Sequence, residues 1–596
     1  MSAGTAERKK IQERREQQIK EAEELLGSMA DRMGFAKSLF VGKYKQDWVA
    51  PYPLARPCQK PAVDAKVKEV EEYCRTKLDA TAIDRMADIP RSTINDLGRM
   101  GVLGLTAPSA VGGQDFTQSD YCRVLEHFGA TCSSTSIFIN AHHSIGMRAL
   151  LLFGTKEQKE RWLPPMVKGE KLGAFALTEE QAGSDAGNVQ TVAMPSADGT
   201  HFVMNGTKRY ITNAAIADVL TVMARTPAPD GSMKITAFLV TPDMPGFEIT
   251  KPRGEKMGIR GTATGWMKFT NMPVPRTNIL GQEGKGLKVA LTVLDFGRTT
   301  FGACCTGAAK TALKLMMDCA KTRKQFKRTL AEFDLVKKKI AQASAWIYAM
   351  EAMTYVTASL IDRGFEDFMV ETAMLKVWTT EALWAIINDS FQINGGGAYF
   401  TDHPLERMLR DARINQIGEG ANDVLRSFAI SLVGIKGPGL ALQAVRDSAL
   451  KPWKGVGPII GFFGDQFRRV FGRPTVSVVN ASLEPYAQRL AKQVHSFGWT
   501  LQKTMFRYRE DLLDEQLVHE RIAEAAMEIF ASACTLSRLD AETSQASGDP
   551  DFATRKIAAE YFLEWSSRKI DDWLRTLGSN DDKKCLATAN AVLSRK

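Results

Sequence analysis

The period of the hydrophobic pattern changes twice along the 596 residues, and this change constrains the fold more than any other feature of the chain. From 61 to 170 apolar side chains recur at helical spacing, in AKVKEVEEYCRTKL, TINDLGRMGVLGL and SIGMRALLLFGTKEQKERWLPPMV, with Gly and Pro marking the breaks. Between Lys171 and Gly281 short β-rich runs take over, HFVMNGTKRYITN, DVLTVMART, KITAFLVTP and WMKFTNMPVP, bounded by Gly, Asn, Asp and Pro. Helical patterns return from Leu287 to about Val433, and beyond the connector GIKGPG a further helical block runs from roughly 480 to 596. A chain this long outgrows one hydrophobic core. The pattern therefore predicts an α+β multidomain protein: a charged helix and extended segment over 1–60, an N-terminal α domain over 61–170, and a middle β domain over 171–285. A helical bundle over 286–433, a linker over 434–480 and a second, degenerate helical bundle over 481–596 complete it.

The last block echoes an earlier one. Leu335, Val336, Ile340, Ala341, Ala343, Ile347 and Ala349 recur as Leu517, Val518, Ile522, Ala523, Ala525, Ile529 and Ala531, an offset of 182 residues (517 less 335). Asp367-Phe368 is echoed by Asp551-Phe552. Any two amphipathic helices share some periodicity, but the run of matches favours a duplicated bundle. Its second copy ends without a counterpart of LRDARINQIGEG and is expected to carry no chemistry.

Composition removes several classes of function. No run approaches the roughly 20 apolar residues that span a bilayer. The polar start MSAGTAERKKIQERREQQIKEAEELL has no secretory core and mixes acids with bases, which reads as a mature bacterial cytoplasmic start, with at most peripheral contact to the inner face of a membrane. Nine cysteines, an odd number without CxxC spacing and including adjacent Cys304 and Cys305, argue against a disulfide framework or a zinc site. His142 and His143 have no third ligand at metal spacing, so they read as packing or surface residues and no metal is expected. The net charge of +10 suits polyanions. Because the basic residues are spread out with no aromatic-basic repeat, nucleic acid is the weakest of these.

One stretch asks for chemistry. INQIGEGANDVLR, Ile414 to Arg426, sets a lone acid, Glu419, between Gly418 and Gly420, close after the cation-dense LERMLRDAR. This segment, with FALTEEQAGSDAGNVQT (Phe175 to Thr191) and KRYITNAAIAD (Lys208 to Asp218), resembles the acyl-CoA dehydrogenases in order and spacing over roughly 60 to 596. The extra helical block resembles their very-long-chain branch. The resemblance implies FAD-dependent α,β-dehydrogenation of long or very long acyl-CoA to the trans-2-enoyl-CoA, with electrons passed to electron transfer flavoprotein. Glu419 matches the catalytic base, its N–H directed at the thioester oxygen, and burial is expected to raise its pKa. Some relatives place the base on the helix that here reads LDFGR; Gly297 occupies that position and leaves no competing carboxylate. Gly418 replaces a common aromatic residue, which widens the site near the reacting carbons.

The resemblance assigns Phe175, Leu177 and Thr178 to the isoalloxazine edge, Thr212 to the neighbourhood of flavin N5, and Tyr210 to the place where a Trp usually covers the ring. Glu180 and Gln181 replace a Pro and a Gly in the adjoining loop. Contacts from a second subunit of a homodimer or higher homo-oligomer are expected from Arg323, Gln325 and Phe326 of TRKQFKR, with Arg323 on the pyrophosphate, and from Gln392, Gly395 and Gly396 of FQINGGGAYF. Ala421, standing where a Thr is often found, and Asp423 complete the cofactor set. For the substrate, Ser184 matches a residue near pantetheine, Asp295 and Arg298 a pair lining the channel, and Gly420 flanks the thioester. The acyl tail is expected along the helix Phe138 to Gly146, where Ala141 stands in place of a bulky Glu of medium-chain relatives and lengthens the tunnel. Lys454 to Pro474, KGVGPIIGFFGDQFRRVFGRP, suits either an interfacial helix on anionic lipid or packing against the extra bundle. An acyl-CoA oxidase and a non-catalytic scaffold that kept the fold are the alternative functions.

Overall fold

The computed structural model describes residues 33–53, 61–436, 472–545 and 549–595. The predicted helix at the extreme N-terminus and nearly all of the 454–474 segment lie outside the described residues. The chain divides into two compact units that do not follow chain order: Ala55–Gly364 with Trp378–Ala421, and Met1–Leu54 with Phe365–Val377 and Asn422–Lys596.

In the larger unit, helices α1 (Pro61–Thr76), α2 (Gln118–Thr131), α3 (Ser133–Ile139) and α4 (Lys156–Val167) precede the sheet. Reciprocal caps, Thr117 with Asp120 and Thr155 with Gln158, start α2 and α4. The chain continues from α3 as a π-helix, Asn140–Met147, a form often found at functional sites. Tyr121, Leu125 and Phe128 of α2 pack with Phe138 and Ile139 in one buried cluster.

The predicted β block forms an eight-stranded sheet: β1 (Gly173–Ala176), β2 (Val192–Pro195), β3 (His201–Ile211), β4 (Val219–Pro227), β5 (Met233–Val240), β6 (Phe247–Lys251), β7 (Gly265–Pro275) and β8 (Ile279–Leu280). The order is β6-β7-β3-β2-β4-β5-β8, with β1 parallel to β4. Alternation sends Val219, Met223, Ala237 and Leu239 into one core and Leu220, Val222, Phe238 and Val240 into another. With both faces covered, VLTVMA in β4 is buried along its whole length, apolar apart from Thr221.

Helix α5 (Gly286–Thr322) follows, then a hairpin of β9 (Lys324–Gln325) and β10 (Arg328–Thr329), and α6 (Asp334–Asp362). A Cβ at Gly129 would fall 2.3 Å from the Cys304 carbonyl oxygen, and one at Gly307 2.0 Å from that of Glu126, so α2 and α5 touch along backbone that only glycine admits. Helix α7 (Met369–Asn394) is shared between the units, and α8 (Pro404–Arg413) leads to the Glu419 loop.

The smaller unit contains the short helices Phe35–Leu39 and Gln46–Val49, the first turns of α7, and α9 (Glu484–Tyr508), α10 (Gln516–Thr543), α11 (Phe552–Gly578) and α12 (Asp582–Leu593). Phe35 stacks near Phe530 and Phe40 against Phe497. The segment read as extended thus contributes core residues. The repeat survives as a pair of helices: α10 starts 182 residues after α6 (516 less 334) and α11 183 after α7 (552 less 369). Among the described residues no helix is long and apolar enough to cross a membrane, and every described cysteine is free.

Candidate active site

Helix α8 is fixed before it delivers its loop. His403 accepts from the Leu405 N–H at its start, and Arg410 grips Asp84 at 2.7 and 3.0 Å while also holding Glu406. The buried Asp411 carboxylate accepts from the Ile259 N–H at 2.5 Å, and burial pushes its pKa up to about 6. Ile259 sits at φ +43°, unusual for a β-branched residue, in the loop between β6 and β7. The chain then turns tightly, with the N–H groups of Ile417 and Gly418 both donating to the Ile414 carbonyl at 2.9 and 2.8 Å.

Glu419 follows at φ +59° and Gly420 at +101°. A glutamate in the left-handed region costs of order 1–3 kcal/mol and persists only where its surroundings hold it. Arg298 Nε, donating to the Glu419 carbonyl at 3.3 Å, and Gln416 Nε2, donating to Glu381 at 2.6 Å, contribute to that hold. Arg298 is itself buried and paired with Asp295 at 3.1 Å, one turn back on α5. The expected channel pair is therefore also a support of the Glu419 loop. Glu419 Oε2 is buried and lies 3.3 Å from where a Cβ on Gly297 would sit. Positions 297 and 419 address the same space, with Ile145 of the π-helix closing its other side at 3.1 Å from that Cβ. A Cβ on Gly418 would meet only the Ile414 carbonyl oxygen, at 3.6 Å.

One turn from Gly297 on α5 and one turn before Glu419 in the loop, Phe301 and Asn415 border an open cleft, its enclosed space only about 20 Å³, that Ser133, Ile137 and Cys305 also line. Ala141 is half-buried on the helix that continues from this wall; its neighbour Asn140 is buried and accepts from Thr300 at 2.6 Å. His142 and His143 are packing residues. His142 bridges the Gly173 N–H and the Met166 carbonyl, His143 bridges the Leu103 carbonyl and the Thr106 hydroxyl, and burial holds both rings below their ordinary pKa, His142 at about 4.

On the sheet, Phe175 is half-buried and Leu177 buried at the exit of β1. The Thr178 and Thr212 side chains are half-buried, and their hydroxyls have no hydrogen-bond partner among the described residues. A bulge between Lys208 and Ile211 turns Tyr210 to φ +59° and leaves it 52% exposed, its ring edge-on to Trp266 at 5.3 Å. Sequence reasoning passed over two residues here. Lys208, 1% exposed, donates to Glu179 at 2.6 Å and to the Leu177 carbonyl at 3.0 Å. The signal was available: Phe202, Met204 and Lys208 share the inward register of β3.

The expected partner-facing residues group on the β9–β10 hairpin and the turn after α7. Arg323 Nη1 donates to the Asn394 carbonyl at 3.2 Å, beside Gly395 at φ +67°. Gln325, Gln392 and Gly396 are exposed, and Phe326 is 88% exposed at the hairpin tip. Ser184 lies exposed in the loop after Glu179, and Ala421 is half-buried. Asp423, in the smaller unit, is exposed and pairs with Arg426 at 3.5 Å. Among the described residues no cluster of His, Cys, Asp and Glu is arranged to hold a metal ion.

Comparison with known proteins points one way. Residues 62–170, 174–272 and 284–431 match the N-terminal, middle and C-terminal domains of acyl-CoA dehydrogenase, and 481–595 match the ACAD9/ACADV C-terminal domain. The very long-chain specific acyl-CoA dehydrogenase of Bos taurus mitochondria is 32% identical over 92% of this chain and 85% of its own. The probable acyl-CoA dehydrogenase FadE10 of Mycobacterium tuberculosis is 31% identical over 96% and 90%. An acyl-CoA dehydrogenase from Bacillus anthracis, solved with FAD, superposes with a TM-score of 0.77 at 26% identity, covering 94% of this chain and 95% of that one.

Proposed function

The chain belongs to the acyl-CoA dehydrogenase family, and from that premise we propose that it oxidises long or very long acyl-CoA to the trans-2-enoyl-CoA, with Glu419 as the base that removes the α-proton. The observation that carries this reading is the buried Glu419 Oε2 facing Gly297, on a loop whose carbonyl Arg298 holds. A carboxylate oxygen shielded from water, on a loop held in place, is what proton abstraction from a weak carbon acid needs. The Glu419 N–H would donate to the thioester oxygen, where negative charge develops.

The residues present suit FAD. Thr178 and Thr212 offer two uncommitted hydroxyls beside the half-exposed Tyr210, and a flavin ring presents the polar edge and the flat apolar face that such a set can bind. Phe175 and Leu177 would border the same edge. When bound there, the cofactor supplies a two-electron acceptor for the β-carbon. Arg323, Gln325, Phe326, Gln392, Gly395 and Gly396 would hold the phosphate and adenosine end of a second copy's FAD, consistent with the exposure of the hairpin tip. Asp295 and Ser184 would border the acyl-CoA, whose tail would enter the cleft beside Ile137 and Phe301. Electron transfer flavoprotein is the proposed acceptor and the cytoplasm the proposed compartment.

Anaerobic titration of the purified protein with saturated acyl-CoA of increasing length tests the proposal. Bleaching of the oxidised flavin band by palmitoyl-CoA and longer chains is the expected result; an unchanged spectrum at every length would overturn it. Comparing peroxide formation with reduction of electron transfer flavoprotein separates a dehydrogenase from an oxidase.

A further inference from the structure

In the proposed function two segments of the β domain would meet the flavin ring: the exit of β1 with Leu177 and Thr178, and the end of β3 with Tyr210 and Thr212. They are distant in sequence, and one side chain joins them. Lys208 stands on β3 two residues before Tyr210, and its Nζ reaches back to the Leu177 carbonyl at 3.0 Å and to Glu179 Oε1 at 2.6 Å. The Arg209 N–H donates to the Thr178 carbonyl at 2.9 Å, so backbone and side chain together stitch 177–179 to 208–209. Glu179 extends the stitch to the start of β2, accepting from the Thr191 hydroxyl at 2.6 Å, from the Thr191 N–H at 3.1 Å and from the Gln190 N–H.

This pair is buried where charge is costly. Burial draws the Lys208 ammonium down to about 8 against the opposing pull of Glu179. Burial also pushes Glu179 upward, but the ammonium and the hydrogen bonds it accepts outweigh that and leave its carboxyl below the ordinary range. Well-packed apolar residues often stabilise a core as well as a buried ion pair does, so a pair kept here suggests a demand for fixed geometry. The local geometry is unusual in a matching way: the sheet register breaks between Lys208 and Ile211, and Tyr210 adopts φ +59° immediately after the clasp.

Resting on the proposed function, we infer that Lys208, with Glu179, is a positioning residue that sets the spacing between Leu177–Thr178 and Tyr210–Thr212, and through it the grip on the isoalloxazine and the flavin's redox poise. Lys208 itself would touch neither substrate nor cofactor. It acts by holding the Leu177 carbonyl and the strand that presents Tyr210.

The test uses the holoenzyme and two variants. The double variant Lys208→Met/Glu179→Gln removes both charges at once while keeping an acceptor for Thr191, which avoids stranding a single buried charge. Lys208→Arg keeps the charge but replaces a point donor with a planar fork. Flavin release on dilution, followed by its fluorescence, gives the FAD dissociation constant, and equilibration with a redox dye gives the midpoint potential. The double variant is expected to bind FAD about tenfold more weakly and to shift the midpoint by about 30 mV, the two-electron equivalent of a tenfold change in the ratio of affinities for the two redox states. Lys208→Arg is expected to shift both in the same sense by less, and it serves as the deciding variant if the double variant does not fold. A purely structural clasp would lower the melting temperature and leave the midpoint of the bound flavin where it was. Wild-type FAD affinity and midpoint in a folded variant would therefore overturn the inference while leaving the proposed function intact. A wild-type protein that takes up no FAD would overturn both.

Discussion

Arg298 donates from Nε to the backbone carbonyl of Glu419 at 3.3 Å while its Nη1 pairs with Asp295 at 3.1 Å, so one guanidinium ties the loop of the proposed base to the rigid helix α5. Both contacts need the fork of arginine. Lysine at 298 would keep the buried pair with Asp295 and lose the second donor. A hydrogen bond from a charged donor contributes about 1.5–3 kcal/mol, so Arg298→Lys is expected to lower kcat by roughly 10–100-fold with FAD content unchanged. Stopped-flow reduction by palmitoyl-CoA measures this; unaltered reduction would mean the loop needs no such support.

Glu419→Gln keeps the shape of the side chain and removes its basicity, so it should bind acyl-CoA and FAD normally and lose about 10²–10⁴-fold in turnover. Because positions 297 and 419 face the same space, the base should also be movable. Gly297→Glu combined with Glu419→Gly is expected to exceed Glu419→Gly alone by about tenfold or more, a fraction of what a positioned base contributes. The new Cβ would stand 3.1 Å from Cγ1 and 3.2 Å from Cδ1 of Ile145, so Ile145→Ala, which removes both carbons, should raise the recovered activity further. No recovery in either background would place the reacting carbon away from Gly297.

The Glu419 loop and the β block were legible because each leaves a local mark: glycines around one acid, and a period of two among breakers. The correspondence of α6 with α10 was legible from self-similarity at one offset, and that of α7 with α11 from the Asp-Phe pair at the start of each. Lys208 was not, because a lysine in a strand reads as solvent-facing unless the register is followed through Phe202 and Met204 to its inward position. The membership of 365–377 in the smaller unit was equally hidden. It depends on Asp367 and Glu371 accepting from the N–H groups of Gly34 and Ala36 over three hundred residues away, and no local pattern encodes such pairing. The left-handed φ of Glu419 was likewise invisible, since glutamate carries no preference for it.

Gly418 has room. A Cβ there would meet only the Ile414 carbonyl oxygen at 3.6 Å, ordinary contact, and its backbone does not require glycine. Gly418→Tyr should therefore fold with a melting temperature close to wild type and narrow the space next to Glu419. The expected outcome is unchanged reduction by straight-chain acyl-CoA with selective loss for chains branched near the reacting carbons, read from flavin bleaching across a substrate panel. Equal loss for all substrates would show that the aromatic ring blocks the thioester itself.

The smaller unit should carry its own pH signature. Glu371 is 1% exposed and accepts from the Ala36 N–H at 2.7 Å, and burial, with Asp367 nearby, pushes its pKa up to about 7 from 4.5. The folded state therefore binds more protons at this site than the unfolded chain between about pH 4.5 and 7, and stability falls as pH rises through that window. A shift of this size corresponds to about 3 kcal/mol as an order of magnitude. Glu371→Gln keeps an acceptor for Ala36 and cannot ionise, so it should abolish this component of the slope and raise the melting temperature at pH 8 relative to wild type. At pH 4.5, where Glu371 is largely protonated in the folded protein, the two proteins should melt alike. Thermal unfolding of both across pH 4.5–8 checks the prediction, and parallel curves would show that Glu371 titrates as an ordinary surface carboxylate.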